Sequence, residues 1–226
     1  MFDWERTWKS SGIQFAVLAV IALAFYGSAP KVGASNSELV SFFSGDRTRV
    51  LVASVLFCLS FLNLMWFGAA LASVLRDAGK GGWAAAATVA SAALGTMYFV
   101  RMTVRASLAF SIAGSGDPGV TSGLYDVSWA LTVVIAFPAA MFVMAGAFGL
   151  WRAGIMSTRY FSVGVLTVVL VLLGGTTWAS QGFWAPDGAY AVLAQLLVFL
   201  WVAVLSGFLV RRSTVNAPAG TALPAA

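Results

Sequence analysis

The sequence predicts an all-α protein, a polytopic transmembrane helical bundle with six spans and both ends on the cytoplasmic side. Composition is the first reason, because 60% of the 226 residues are hydrophobic and only 9% are charged, whereas charged residues make up about a quarter of a soluble domain. The mean hydropathy of +0.90 is the second. The third is the presence of six apolar runs near the roughly 20 residues that a helix needs to cross a bilayer. The predicted spans are residues 12–28, 50–75, 82–113, 124–151, 160–180 and 188–210, within one domain of residues 1–212.

The first span admits a second interpretation. Arg6 and Lys9 precede a short apolar run, and VGAS at residues 32–35 could serve as the cleavage site of a signal peptide. The acidic residues Asp3 and Glu5 dilute the basic region that such a peptide requires. An uncleaved membrane helix is therefore favoured, with cleavage as the alternative.

The loop after the first span predicts a short amphipathic helix over residues 37–44. The stretch SNSELVSFFSGD supplies a Ser or Asn N-cap, Glu38 in the first turn, four apolar residues and Gly45 as a stop. On the outer surface this helix would lie in the headgroup region. It would act either as a packing cap over the bundle or as a gate.

The third apolar run carries two arginines, Arg101 and Arg105, on one helix face. As a helix, this run would be about 48 Å long, about 18 Å more than the hydrocarbon layer. A helix that enters at Gly82 therefore places Arg101 at the outer boundary, whereas centring the arginines would cost about 2.5–3.5 kcal/mol each. We expect both arginines at the outer rim.

The predicted ion-pair partners of these arginines are Asp126, which opens the fourth span, and Glu38 of the loop helix. Three alternatives remain for the pair of arginines: an anionic lipid headgroup site, snorkelling to solvent, and an anion or substrate site.

Three further side chains stand out inside the spans. Pro138 predicts a kink in the fourth span, because proline cannot donate the helical hydrogen bond. Asn63 and Gln195 are amides in apolar runs, and each predicts an interhelical hydrogen bond.

The positions of Lys and Arg predict the orientation, because cytoplasmic loops carry the excess of these residues. With both ends inside, eight of the thirteen cations are cytoplasmic and five lie on or near the outside. Cations in membrane loops favour anionic lipid, not nucleic acid, as the partner. The tail of residues 213–226 has no periodicity and predicts disorder. The cytoplasmic set is Arg6, Lys9, Arg76, Lys80, Arg152, Arg159, Arg211 and Arg212.

Missing residue types exclude several activities. The chain has no histidine and a single cysteine, Cys58, which argues against haem, copper, zinc and Cys-based metal sites and against an intramolecular disulfide. A nucleophilic serine would lack its usual base, and the spans offer no carboxylate within the membrane. We expect no cofactor, no metal and no enzymatic activity.

Seven short stretches together resemble the uncharacterised multi-pass membrane proteins common in actinobacteria. The resemblance covers residues 13–212 and implies a location and an architecture only, since that family has no assigned activity. No functional residue can be carried over from it. The stretches are FFSGDRTRVLV, LMWFGAALASVLRD, GDPGV, LYDVSWAL, FPAAMFVMA, WRAGIMSTRY and GFLVRR.

These observations predict an integral plasma-membrane protein that acts as a non-enzymatic accessory or binding subunit. Its candidate partners are anionic membrane lipids, another membrane protein or a second copy of the chain. The alternative is a small-molecule or lipid transporter that uses an outer-facing cavity near Arg101, Arg105 and Asp126.

Overall fold

The computed structural model describes residues 4–115 and 117–215, and every regular element in these ranges is a helix. The all-α prediction is therefore confirmed. The predicted tail of residues 213–226 lies outside the described residues, apart from the first three, which continue the backbone of the last helix. The α-helices are α1 (Trp4–Tyr26), α2 (Asn36–Val40), α3 (Arg47–Asp77), α4 (Gly81–Ser107), α5 (Pro118–Val134), α6 (Ala136–Arg152), α7 (Thr158–Gly174) and α8 (Ala189–Val215).

Five helical segments are long and apolar enough to cross a membrane, which indicates a membrane protein. Large apolar side chains cover their outer faces, as lipid-facing helices require; Leu200, for example, is 62% exposed. The helix α7 is apolar but has only 17 residues. It ends at Gly174, earlier than the predicted span of residues 160–180. The five segments are Arg6–Tyr26, Arg47–Asp77, Gly81–Ile112, Pro118–Arg152 and Ala189–Arg212.

The helices pack side by side in a closed ring, in the order α1, α3, α4, α6, α7, α8 and back to α1. Small residues allow close approach between neighbours, as in many membrane bundles. Gly68 of α3, for example, faces the Ser91 side chain of α4 with no room for a Cβ atom. The contact between α7 and α8 is the least extensive in the ring.

Hydrogen bonds across the bundle identify its two ends. At the end that carries α2, which we call the α2 end, the Tyr125 hydroxyl donates to the Pro30 carbonyl. The Val32 amide at this end donates to Asp187 Oδ2 over 3.3 Å.

At the opposite end, the Ser206 hydroxyl donates to the Lys9 carbonyl, and Arg212 Nη1 donates to the Ile155 carbonyl over 3.3 Å. The N-terminus of α1 and the C-terminus of α8 therefore lie at the same end of the bundle. Between Ile155 and Asp187, α7 runs from the opposite end to the α2 end.

The loop helix begins one residue earlier than predicted and has two parts. The Ser35 hydroxyl caps α2 by accepting from the Glu38 amide over 3.3 Å, and a π-helical turn, Ser41–Gly45, follows. Its apolar side chains Leu39, Phe42 and Phe43 are buried. This segment contacts α5 and the start of α3.

The fourth apolar run is interrupted at Ile135, between α5 and α6. The interruption lies three residues before Pro138, which has no amide hydrogen to donate to the Val134 carbonyl. Ile135, at the break, and Ala136, which begins α6, face the interior of the ring.

Candidate anion-binding site

One face of α4 carries Leu94, Tyr98, Arg101 and Arg105, spaced by four, three and four residues. This spacing places all four side chains on a single stripe of the helix. The stripe faces the interior of the bundle, because Arg101 is only 7% exposed and Arg105 only 4%. Arg105 contacts Tyr26, the last residue of α1, so the pair lies near the α2 end, but both arginines are enclosed by protein instead of exposed at a rim.

Four aromatic side chains surround the two guanidinium groups, and we call them the aromatic cage: Tyr26, Tyr98, Tyr125 and Trp129. The Arg105 guanidinium carbon lies 4.9 Å from the Trp129 ring centroid, 5.3 Å from that of Tyr26 and 5.8 Å from that of Tyr125.

The Arg101 guanidinium carbon lies 5.8 Å from the Tyr98 ring centroid and 6.0 Å from that of Trp129. Ring faces attract cations by about 0.5–1 kcal/mol at exposed sites and by about 2 kcal/mol when water is excluded. The cage therefore offsets part of the cost of burying these charges.

Hydrogen bonds satisfy only a small part of this cluster. Arg105 Nε donates to the Ser128 hydroxyl over 3.3 Å, and Ser128 Oγ itself donates to the Tyr125 carbonyl over 2.7 Å. Four buried polar atoms of the cluster have no hydrogen-bond partner among the described residues, and all four can donate. They are Arg101 Nε, Arg105 Nη2, the Tyr26 hydroxyl and Trp129 Nε1.

The ion pairs predicted for the arginines are not formed. Asp126 and Glu38 are both exposed, and among the described residues no carboxylate oxygen lies within 4.0 Å of either guanidinium group. Tyr125, Ser128 and Trp129 occupy the inner face of α5, so Asp126, one residue after Tyr125, points outward.

The two predicted polar contacts also differ from expectation. Asn63 Nδ2 donates over 2.9 Å to the Leu59 carbonyl of its own helix. Gln195 is half-buried on α8, and its amide makes no hydrogen bond to the described residues.

Hydroxyl groups make the interhelical bonds that the amides do not. The Ser60 hydroxyl of α3 donates to the Phe15 carbonyl of α1 over 2.8 Å, and Ser206 of α8 bonds the Lys9 carbonyl and accepts from the Ile13 amide. A small hydroxyl residue in an apolar run is the sequence signal for such bonds.

A small central cavity of about 30 Å³ lies inside the ring and is partly open to the surface. All six segments of the ring line it, and its surface is mostly apolar. Tyr98 belongs to both the cavity wall and the aromatic cage. One lining residue from each segment is Phe15, Phe61, Tyr98, Ala139, Val171 and Val198.

The aromatic cage could not be read directly from the sequence, because its members come from three separate helices. Tyr98 is the exception: it precedes Arg101 by three residues and so shares its face. Tyr26 and Tyr125 sit close to the ends of apolar runs, where tyrosine is common.

Comparisons with protein-family models, with curated proteins and with solved structures find no match for this chain. The described residues contain no group of three or more His, Cys, Asp or Glu side chains suited to a metal ion. Fold and site together define a helical bundle with five helical segments long enough for a membrane and a buried pair of arginines inside an aromatic cage. The resemblance to actinobacterial membrane proteins stays a prediction.

Proposed function

We propose that this chain is a six-span plasma-membrane protein that binds an anionic group, the acidic headgroup of a membrane lipid, at Arg101 and Arg105. It acts as a non-enzymatic binding or accessory subunit. One observation carries the proposal: within the described part of the chain, the two buried guanidinium groups have no carboxylate partner and lie among buried donors that have no acceptor.

The energetics of the cluster favour a bound anion. A charged arginine within a membrane helix costs about 2.5–3.5 kcal/mol on insertion scales, and the two like charges also repel each other. A carboxylate or phosphate between them would cancel that repulsion and accept several charge-assisted hydrogen bonds. The same oxygen atoms could accept from the Tyr26 hydroxyl, which has no hydrogen-bond partner within residues 4–115 and 117–215.

The course of α7 supports six spans. Although it has only 17 residues, its flanking segments are tied to opposite ends of the bundle, through Ile155 at one end and Asp187 at the other. A helix of this length measures about 25 Å, and short helices are accommodated by local thinning of the bilayer.

The distribution of exposed cations supports cytoplasmic ends. Because Arg101 and Arg105 are buried, they do not count as loop charges, which leaves Lys31, Arg47 and Arg49 at the α2 end. The opposite end carries eight Lys and Arg residues in its loops and flanks. This asymmetry favours the opposite end as the cytoplasmic one.

The lipid transporter predicted as the alternative has less support, because the central cavity has a volume of only about 30 Å³. The transport site predicted from the sequence required Asp126 beside the arginines, whereas Asp126 faces outward. A binding role needs only the buried site, so it has the stronger support.

The proposal is tested by native mass spectrometry of the purified full chain with phosphatidylglycerol and with phosphatidylcholine. We expect selective retention of phosphatidylglycerol, and binding at least about tenfold weaker, equivalent to about 1.4 kcal/mol, in the Arg101→Gln/Arg105→Gln variant. The matched control is Arg76→Gln/Arg152→Gln, which removes two exposed arginines and should bind like the wild type. Equal retention of phosphatidylglycerol by all three proteins would refute the proposal.

A further inference from the structure

We propose that an outward-facing groove between α7 and α8 binds one acyl chain of an anionic phospholipid, whose phosphate lies beside Arg211. We call it the α7–α8 groove; it is lined by Met156, by Tyr160 and by one face of α8 from Trp201 to Arg211. It lies at the opposite end of the bundle from the aromatic cage. The inference therefore concerns a second site and does not depend on the proposed function.

The α7–α8 groove has room for a hydrocarbon chain. Its volume is about 310 Å³, at the lower end of the usual range for small-molecule sites, about 300–1,000 Å³. Trp201 and Arg211 are ten positions apart, which corresponds to about 15 Å along α8. This length equals the depth of one leaflet in a hydrocarbon layer about 30 Å thick. The groove therefore suits a chain that runs from the headgroup region towards the middle of the bilayer.

The walls of the groove are mostly apolar. Trp201 is only 6% exposed, and its ring packs against Gly164 of α7, where a Cβ atom would have no room. The Tyr160 and Phe208 ring centroids lie 6.5 Å apart on the two helices. Val204 is exposed, so the groove opens towards lipid and not towards the interior of the ring. An acyl chain that lies there would contact apolar side chains along its length.

Gly207 widens the groove for no reason that the folded chain itself supplies. It lies inside α8, where glycine destabilises a helix relative to alanine. Its φ is not positive, and nothing in the described chain lies within 4 Å of a Cβ atom added there. Neither backbone conformation nor close packing therefore requires glycine at this position, whereas a bound chain would use the space.

The charges around the groove select an anion. Arg211 lies at one end of it, and no described residue that lines it is acidic. Tyr160 belongs to the first turn of α7, so the positive end of that helix dipole lies beside the groove, and the Ser157 side chain does not cap it. Arg159 and Arg212 adjoin the lining residues in the sequence. A phosphate offers the negative charge and the acceptor oxygens that fit this end.

The test uses the purified full chain in phosphatidylcholine nanodiscs that contain phosphatidylglycerol with a photoreactive diazirine on one acyl chain. We expect crosslinks within residues 156–160 and 201–208. Phosphatidylcholine with the same label should give a yield about fivefold lower, because its headgroup has no net charge to pair with Arg211. Equal yields from the two lipids, or crosslinks confined to other surfaces of the bundle, would overturn the inference.

A matched pair of substitutions tests the space at Gly207. Gly207→Leu fills the groove, whereas Gly123→Leu adds the same atoms at an exposed position of α5 where nothing described lies within 4 Å of the added Cβ. Both changes replace glycine in a helix by a stronger helix former. We expect the crosslinking yield to fall about tenfold in Gly207→Leu and to stay unchanged in Gly123→Leu; equal yields in the two variants would contradict the inference.

A second pair tests the charge. Arg211→Gln should lower the yield from labelled phosphatidylglycerol about fivefold and leave the yield from labelled phosphatidylcholine unchanged. The control is Arg76→Gln, which removes an exposed arginine of α3 at the same end of the bundle and should match the wild type. An equal fall in both variants would overturn the assignment of the phosphate to Arg211.

Native mass spectrometry separates this inference from the proposed function. With both sites present, we expect up to two phosphatidylglycerol molecules on the wild type and one on either Gly207→Leu or Arg101→Gln/Arg105→Gln. A single lipid that is lost only in the double arginine variant would overturn the groove and leave the proposed function intact. A second copy of the chain could also cover the groove, and a wild-type dimer that Gly207→Leu abolishes would overturn the inference as well.

Discussion

Arg101 and Arg105 are buried among aromatic side chains and not beside carboxylates, and this environment has an energetic consequence. A buried ion pair that loses one member leaves an uncompensated charge, which is strongly destabilising. Here no carboxylate accompanies the arginines among the described residues, so their removal strands no opposite charge. Without a bound anion, the two buried charges therefore carry an electrostatic cost, which the binding proposed above would relieve.

Replacing both arginines by methionine should stabilise the delipidated protein. Methionine retains an unbranched side chain and makes favourable contacts with aromatic rings, and the change removes two buried charges. We expect Arg101→Met/Arg105→Met to raise the free energy of unfolding by about 1–4 kcal/mol, measured as an increase in thermal midpoint after lipid removal.

The same variant should lose the stabilisation that an added anionic lipid gives the wild type. A lower thermal midpoint than the wild type, without lipid, would instead show that the arginines hold the fold together.

The individual helices show why the site was only partly predictable from the sequence. The apolar runs predicted where helices form, since length and composition are enough for that. They did not predict how each helix is rotated, because a helix that is apolar on all sides has no polar face to set its direction. The outward position of Asp126 and the inward position of Arg105 depend on that rotation, so their pairing could not be decided from spacing.

Close helix contacts, in contrast, have a signal in the sequence, which is a small residue at the point of contact. A substitution at Gly68 tests this signal. An added Cβ at this position would overlap the Ser91 side chain, so we expect Gly68→Ala to destabilise the α3–α4 contact by about 1–3 kcal/mol. Gly82→Ala is the matched control, because nothing lies within 4 Å of the Cβ added there. The thermal midpoints of the two variants, measured in the same detergent, check this expectation; equal values would contradict it.

At the scale of the whole molecule, the order of the helices in the ring and the hydrogen bonds at both ends show that the chain runs back and forth through the bundle. All-helical character followed from composition, and the closed ring did not, because no local signal specifies that α1 lies beside α8. The break at Ile135 could be placed only approximately from Pro138. The helix α7 ends at Gly174, six residues before the end of the predicted span. Whether the chain crosses the membrane five or six times depends on this helix.

Labelling of single cysteines tests whether α7 crosses the membrane. In a Cys58→Ala background, Ser157→Cys and Gln181→Cys place one thiol before α7 and one after it, both at exposed positions. If both ends of the chain are cytoplasmic, a membrane-impermeant maleimide added to intact cells should label Gln181→Cys only. Labelling of Ser157→Cys becomes possible after the membrane is permeabilised. Labelling of both variants from the same side would exclude a six-span arrangement.

The contact between α1 and α8 has a consequence for biogenesis. Ser206 and Lys9 are separated by 197 positions in the sequence, so the ribosome must complete almost the entire chain before this hydrogen bond can form. Contacts of such long range form late in folding. We therefore expect the bundle to stay an open arc during insertion until α8 packs against α1.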